Sequence, residues 1–204
     1  MLPIHIFNQL VMVEEERRET IRVLNAQRRL LRADNDPFSL TEERFIATFR
    51  LSKEMVQHIL LPALVHNIPT NSPLAIDPVQ KILITLAFFA SGEYQRCLGD
   101  NLNFPTAQAT ISKIVSQVTL LIVNNICPDW IVFPSTREEI NRIKERFMEK
   151  TRFPGVLGAI DCTHVAILAP KDQEHNYLNR KGYHSKNVQI VSGKIYFIYI
   201  FIFL

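Results

Sequence analysis

Between Pro78 and Ala90 nearly every position is apolar, Ile82-Leu-Ile-Thr-Leu-Ala-Phe-Phe forming the heart of the run. A run of that length exceeds an ordinary strand and predicts a buried helix from Asp77 to Ala90, broken by Gly92. A shorter helix over Tyr94 to Leu102 follows, Phe104-Pro105 turns the chain, and a long helix runs from Thr106 to about Ile126. In that last helix Ile111, Ile114, Val115, Val118, Leu121 and Ile122 recur at helical spacing as a buried face.

Upstream, Glu14 to Asp34 carries Ile21, Leu24 and Leu31 on one stripe among alternating Glu and Arg, and Asp34-Asn-Asp-Pro37 stops it. The mixed charges predict a solvated face with i,i+4 pairing rather than a DNA-binding arm. Ser39-Leu-Thr-Glu42 has the capping-box pattern and opens a short helix over Phe45, Ile46 and Phe49. Ser52 opens another, which Pro62 is expected to end. Ser135-Thr-Arg-Glu138 caps a further helix whose Ile140, Ile143 and Phe147 are expected to pack on a sheet.

The periodicity then changes. Val156, Leu157 and Ile160, followed by Val165, Ile167 and Leu168, predict two strands between Gly155 and Pro170, with Asp161 at their join. A carboxylate at the tip of a core strand costs several kcal/mol unless it is paired, hydrogen-bonded or bound to a cation. Taken alone, the window is equally compatible with a polar turn residue and with a metal ligand. Asn187 to Val191 predicts another strand, and Ile195 to Leu204 is an uncharged aromatic and β-branched run. That run has about half of the roughly 20 residues needed to span a bilayer, and resembles an aggregation-prone strand that must be buried if native.

Composition narrows the class. The 204 residues can bury a sizeable core, and a net charge of +3 with pI near 8.8 permits nucleic-acid contact without requiring it. Three scattered cysteines, Cys97, Cys127 and Cys162, argue for a reducing compartment and against a disulfide scaffold. Cys162, His164, His175 and His184 lack zinc-site spacing and are expected to be structural. Ile4 to Val13 has no basic n-region or small-residue cleavage site, so no signal peptide is expected.

Two regions carry candidate binding chemistry. The short helix, turn and long helix within 77–126 form a helix-turn-helix layout that leaves Gln108, Thr110 and Lys113 facing outward, where such side chains contact bases or phosphates. The same layout occurs in ordinary helical bundles. Asn179-Arg-Lys-Gly-Tyr-His-Ser-Lys186 is a basic loop in which Arg180, Lys181, His184 and Lys186 surround Tyr177 and Tyr183, suited to a phosphate backbone or to plain solvation.

From about Phe49 to Val191 several motifs occur in one order. Phe49-Arg-Leu-Ser52 is followed by Ile82-Leu-Ile-Thr-Leu-Ala-Phe-Phe-Ala-Ser-Gly92, Thr110-Ile-Ser-Lys-Ile114 and Trp130-Ile-Val-Phe-Pro134. Gly158-Ala-Ile-Asp161-Cys-Thr-His164, Tyr177-Leu-Asn-Arg-Lys-Gly-Tyr-His-Ser185 and Asn187-Val-Gln-Ile-Val191 complete the series. Together they resemble the PIF/Harbinger class of DDE transposases and the nucleases derived from Harbinger transposases. Most relatives have Gly where Cys162 stands here.

The resemblance implies an α+β chain. A helical domain with a helix-turn-helix element (residues 1–134) would precede the first strands of an RNase H-like nuclease core (135–191), with an atypical apolar tail (192–204). It implies an Asp, Asp, Glu set holding Mg²⁺ or Mn²⁺ for phosphodiester cleavage, with Asp161 matching the first acid. It also implies DNA as partner, a separate Myb-like DNA-binding protein, no membrane, and a nuclear location with the cytoplasm as a second compartment.

The family's second and third acids belong to segments with no match in this chain. Asp172 and Glu174, in Lys171-Asp-Gln-Glu-His175, are expected to be solvated rather than replacement ligands. The abrupt departure at Ser192 predicts a truncated gene model or a decayed transposon copy. The expected function is therefore a metal-dependent endonuclease, incomplete and inactive as this chain, or alternatively a non-catalytic DNA-binding or interaction module.

Overall fold

A computed structural model of the chain describes residues 4–70, 75–100, 104–192 and 198–203. It is a mixed α+β structure, mostly helical with a small antiparallel sheet, and divides into two compact units, Met1–Asn125 and Ile126–Leu204.

The first unit is built around α5 (Pro78–Ser91). Six consecutive residues, Ile82 to Ala87, are buried, so the helix is enclosed on every side, as its all-round apolar sequence requires. Asp77 caps its start by accepting from the amides of Val79 and Gln80 at 2.9 and 3.4 Å. Gly92 ends it in the left-handed conformation at φ 64°, which glycine adopts without a Cβ penalty. Thr85 lies fully buried, its hydroxyl donating to the Lys81 carbonyl at 3.0 Å.

Two helices cover α5, namely α2 (Glu42–Phe49) and the long α7 (Gln108–Asn125). Phe45 and Phe49 of α2 are buried with ring centroids 4.5 Å apart, and Phe104 meets Phe49 edge-on at 6.0 Å. Ile111, Ile114 and Val118 bury the inner face of α7, while Val115, Leu121 and Ile122 are half-buried. Between α5 and α7 lies the short α6 (Gln95–Asp100), so helix, short helix and long helix fall where the hydrophobic pattern expects them. The expected continuation of the short helix to Leu102 lies outside the described residues.

Several local expectations are corrected. Thr41, not Ser39, caps α2, because Pro37–Ser39 forms a 3₁₀ turn of its own. The carboxylate of Glu42 then accepts from the Lys53 amide at 3.1 Å. Ser52 does open the next helix, α3 (Lys53–Met55), but Pro62 does not end it. A π turn at Val56–Leu60 widens the helix ahead of the proline, which has no N–H to offer and whose ring crowds the preceding turn, and α4 (Leu61–Leu64) carries on through it. The first helix, α1 (Ile4–Ala33), starts well before Glu14, and its stripe of Ile21, Leu24 and Leu31 remains exposed.

In the second unit a short helix, α8 (Cys127–Trp130), precedes α9 (Arg137–Thr151). The capping box of α9 is Thr136 with Glu139, one residue later than the sequence pattern suggested. Hydrogen bonds from the amides of Thr136 and Ser135 hold the Glu139 carboxyl below its ordinary range. The sheet has the order β1 (Ala159–Ala166), β2 (Ser185–Ser192), β3 (Ile198–Phe203), antiparallel throughout.

Here two further expectations change. The segments on either side of Asp161 are one strand, not two, because Ala159 to Ala166 pairs residue for residue with Ser192 to Ser185 and no Gly or Pro interrupts it. Nor is it a core strand, since all eight residues of β1 are exposed. Among the described residues α9 makes no extensive contact with the sheet, and Ile140, Ile143 and Phe147 are half-buried. The described part of the apolar tail is β3, whose backbone pairs with β2 from Ile198 against Ser192 to Phe203 against Asn187.

The turn from α6 into α7 depends on close backbone contact. The Thr106 amide donates to the Gly99 carbonyl at 3.1 Å, and a Cβ at Gly99 would lie 2.2 Å from the Thr106 oxygen and 3.0 Å from the Ile111 side chain. Gly99→Ala should therefore destabilise the chain by about 2 kcal/mol or more, the cost of overpacking a rigid contact. Gly92→Ala, which has open space but a positive φ, should cost only about 1 kcal/mol. Urea unfolding of both variants checks the order, and an equal effect would show that the α6 to α7 turn yields easily.

Candidate functional site

Asp161 is the third residue of β1, paired with Ile190 of β2. Its Oδ1 accepts from the Cys162 amide at 2.8 Å, which fixes the carboxylate along the strand and leaves it exposed. Side chains alternate across a strand, so Asp161, Thr163 and Val165 share one face with their partners Ile190, Val188 and Lys186. Cys162 and His164 occupy the opposite face. Lys186 therefore stands on the Asp161 face, four residues along, and is the one predicted basic residue that the sheet register brings to it.

The other basic residues lie on a tight hairpin before β2. The Gly182 amide donates to the Asn179 carbonyl at 2.9 Å, and the Asn179 amide donates to the Tyr183 carbonyl at 3.0 Å. Asn179 Oδ1 accepts from the amide of Lys181 at 2.9 Å, and Gly182 takes φ 79°. This is a turn closed by a left-handed glycine, the geometry of a three-residue hairpin loop. Arg180 and Lys181 occupy its exposed tip. His184 is different, because its Nε2 lies 3.0 Å from Glu174 Oε1 and its side chain is mostly covered.

Ser185 and His164, the latter expected to be structural, hold this loop to the sheet. The buried Ser185 hydroxyl accepts from Asn179 Nδ2 at 2.8 Å and lies 3.0 Å from His164 Nδ1. A hydroxyl that accepts from Asn179 retains its own proton for Nδ1, which suits the Nε2–H tautomer of His164. The turn itself is signalled in Asn179-Arg-Lys-Gly, whose Asn and Gly are the residues a tight turn selects, but the long-range partner His164 is not.

In the first unit Gln108, Thr110 and Lys113 are exposed on the opening turns of α7, beside the buried Ile111 and Ile114. Among the described residues no three His, Cys, Asp or Glu side chains converge into a metal-holding group. Glu174 is engaged with His184, and Asp172 lies exposed in a bend. The described residues thus do not gather the several carboxylates that two-metal chemistry needs, and they do not fit a metal centre by themselves. No described helix is long and apolar enough to cross a membrane.

Comparison with known proteins gives a consistent set of relatives. The chain is 35% identical over 154 residues to the protein named putative nuclease HARBI1 of Rattus norvegicus, 74% of this chain and 43% of that one. The Homo sapiens protein of the same name is 34% identical over 154 residues, and that of Mus musculus 38% over 123 residues, 60% of this chain and 34% of that one. The match thus spans less than half the length of these relatives. No family model and no solved structure matches the chain. The order of motifs around Asp161 and the identity over most of its length agree that this chain belongs to the family of Harbinger transposase-derived nucleases.

Proposed function

We propose that the chain carries the DNA-contacting segments and the first metal-ligand strand of a divalent-metal-dependent DNA endonuclease derived from a transposase. The observation that carries this reading is the exposed Asp161 carboxylate on β1 of an antiparallel β1–β2–β3 sheet, in a chain whose relatives are named nucleases. A strand order of this kind suits the opening of an RNase H-like core, and the two faces of β1 remain open for further elements. Mg²⁺ or Mn²⁺ would supply charge neutralisation for the phosphodiester. Asp161 would give one oxygen ligand, and hard cations of this type need several oxygen ligands at once.

The chain's own residues contribute binding. The exposed start of α7, with Gln108, Thr110 and Lys113, is read as the helix of a helix-turn-helix that enters the groove. Arg180 and Lys181 on the hairpin tip, with Lys186 on the Asp161 face, are read as contacts to the substrate strand. His184 contributes less directly, since Glu174 already engages it. A nuclear location and association with a Myb-like DNA-binding protein belong to the same reading. The competing one, a non-catalytic DNA-binding module, gains support from the single carboxylate.

Cleavage is tested by plasmid nicking with Mg²⁺ and Mn²⁺ on the chain and on Asp161→Ala. The expected outcome is no nicking by either, with weak Mn²⁺ binding, followed by relaxation of water protons, that is lost in Asp161→Ala. Metal-dependent nicking that vanishes in the variant would mean that other carboxylates, Asp172 first, complete a site, and would overturn the expectation of inactivity. Mn²⁺ binding unaffected by Asp161→Ala would remove Asp161 from its role as ligand.

The hairpin has its own test. Asn179→Ala deletes the acceptor for the Lys181 amide and the donor to Ser185. Losing two neutral hydrogen bonds costs about 1 to 3 kcal/mol locally. Amide exchange at Lys181 and Tyr183 should rise, and duplex DNA affinity should fall in parallel with Arg180→Ala. Faster exchange with unchanged affinity would show that the loop does not touch the nucleic acid.

A further inference from the structure

A concentration of positive charge lies on α1, within the first unit. The C-terminal half of α1 and the start of α7 enclose a cleft of about 450 Å³, lined by Arg22, Arg28, Arg29 and Arg32 with Thr106 and Thr110. No carboxylate is among the described residues that line it. Ahead of the cleft the charges of the same helix are paired, and so is Arg22 at the edge of the cleft. Glu14 pairs with Arg17 and Arg18 at 3.7 and 3.4 Å, and Glu19 pairs with Arg22 at 3.3 Å. Among the described residues Arg28 and Arg29 have no such partner.

Arg32 anchors the wall of the cleft. Its Nη1 donates to the Pro105 carbonyl at 2.5 Å and lies 3.5 Å from the Thr106 hydroxyl, and its own carbonyl accepts from Gln80 Nε2 at 3.3 Å. Burial holds the Arg32 guanidinium below its ordinary pKa, and repulsion from Arg28 and Arg29 adds to the effect. Three guanidinium groups held together without a carboxylate repel one another, a cost that an anionic ligand would convert into attraction.

The row is too long for one small anion. Arg22 to Arg32 spans ten residues of helix, roughly 15 Å at the rise of an α-helix. One strand of duplex DNA presents a charge about every 3.4 Å along its axis, so a row of that length meets several phosphates. It also lies beside Thr110, on the turn of α7 that would face the groove. In helix-turn-helix docking, contacts to the backbone flank the N-terminal turns of the recognition helix.

We propose that the arginine row of α1, centred on Arg28 and Arg29, is a clamp for the phosphate backbone of duplex DNA that seats the start of α7 at the groove. This rests on the reading of DNA as the chain's ligand and assigns a DNA contact to a helix whose alternating charges suggested a plain solvated surface. The clamp is independent of Asp161 and of any metal. It predicts that most of the salt dependence of binding comes from α1 rather than from Lys113.

The test uses the full chain and a labelled duplex, with fluorescence anisotropy across a salt series. Arg28→Ala with Arg29→Ala should lower affinity at least about tenfold and flatten the slope of log K against log salt by about two units, one for each phosphate no longer neutralised. Arg17→Ala with Arg18→Ala removes the same charge from the same helix outside the cleft and should have a much smaller effect. Arg28→Lys with Arg29→Lys should restore most of the slope, and circular dichroism should show all variants equally helical. Equal loss in both alanine pairs would overturn the clamp in favour of diffuse attraction, and so would an unchanged slope. If inorganic phosphate binds in the cleft while duplex DNA does not compete for it, the site is an anion pocket and the proposal fails. Failure of the wild-type chain to bind duplex at all would instead sink the reading of DNA as its ligand, and the two failures are thereby told apart.

Discussion

The enclosure of α5 is the constraint on which the first unit depends. A helix with six successive buried residues has no face to offer water, so its neighbours are obliged to cover it. Pro37 and Pro134 aside, the buried aliphatic and aromatic side chains among the described residues lie between Phe45 and Val118. Phe45 and Phe49 cover one side, and Ile111, Ile114 and Val118 the other. Covering α5 uses the inner face of α7 and leaves Gln108, Thr110 and Lys113 outside, so the candidate reading surface is a by-product of core packing.

The close approach of Gly99 to Thr106 then sets the entry into α7. Backbone approaching that closely leaves no room for a side chain at Gly99. The same turn receives Arg32, through Pro105 and Thr106. Core packing, the start of α7 and the arginine cleft are in this way adjoining parts of one arrangement.

The second unit is organised by hydrogen bonds rather than by burial. Its sheet is held by the backbone ladder and by the Asn179, Ser185 and His164 network, while β1 is exposed along its whole length. Exposed apolar positions such as Ile160 and Val165 on a sheet are ordinarily covered. Among the described residues the carboxylate of Asp161 has its neighbour's amide as its hydrogen-bond partner.

Much of this was legible in the residues themselves. The helices α5, α6 and α7 follow from an apolar run, Gly92 and Phe104-Pro105, because those signals are local and strong. The Asn179 to Gly182 turn is written in its Asn and Gly for the same reason, and Asp161 was marked by its place in an order of motifs shared with known relatives. What only the tertiary structure decided were the pairings between distant segments. Thr41 displaced Ser39 as a cap because Pro37 folds Ser39 into its own turn, and Pro62 was absorbed because a π turn made room for it. The residues around Asp161 became one exposed strand because Ser185 to Ser192 pairs along all of it. Arg28 and Arg29 look like any solvated charges on a helix until α7 is laid beside them, because a sequence records the number of charges and not which of them lack a counter-charge in space.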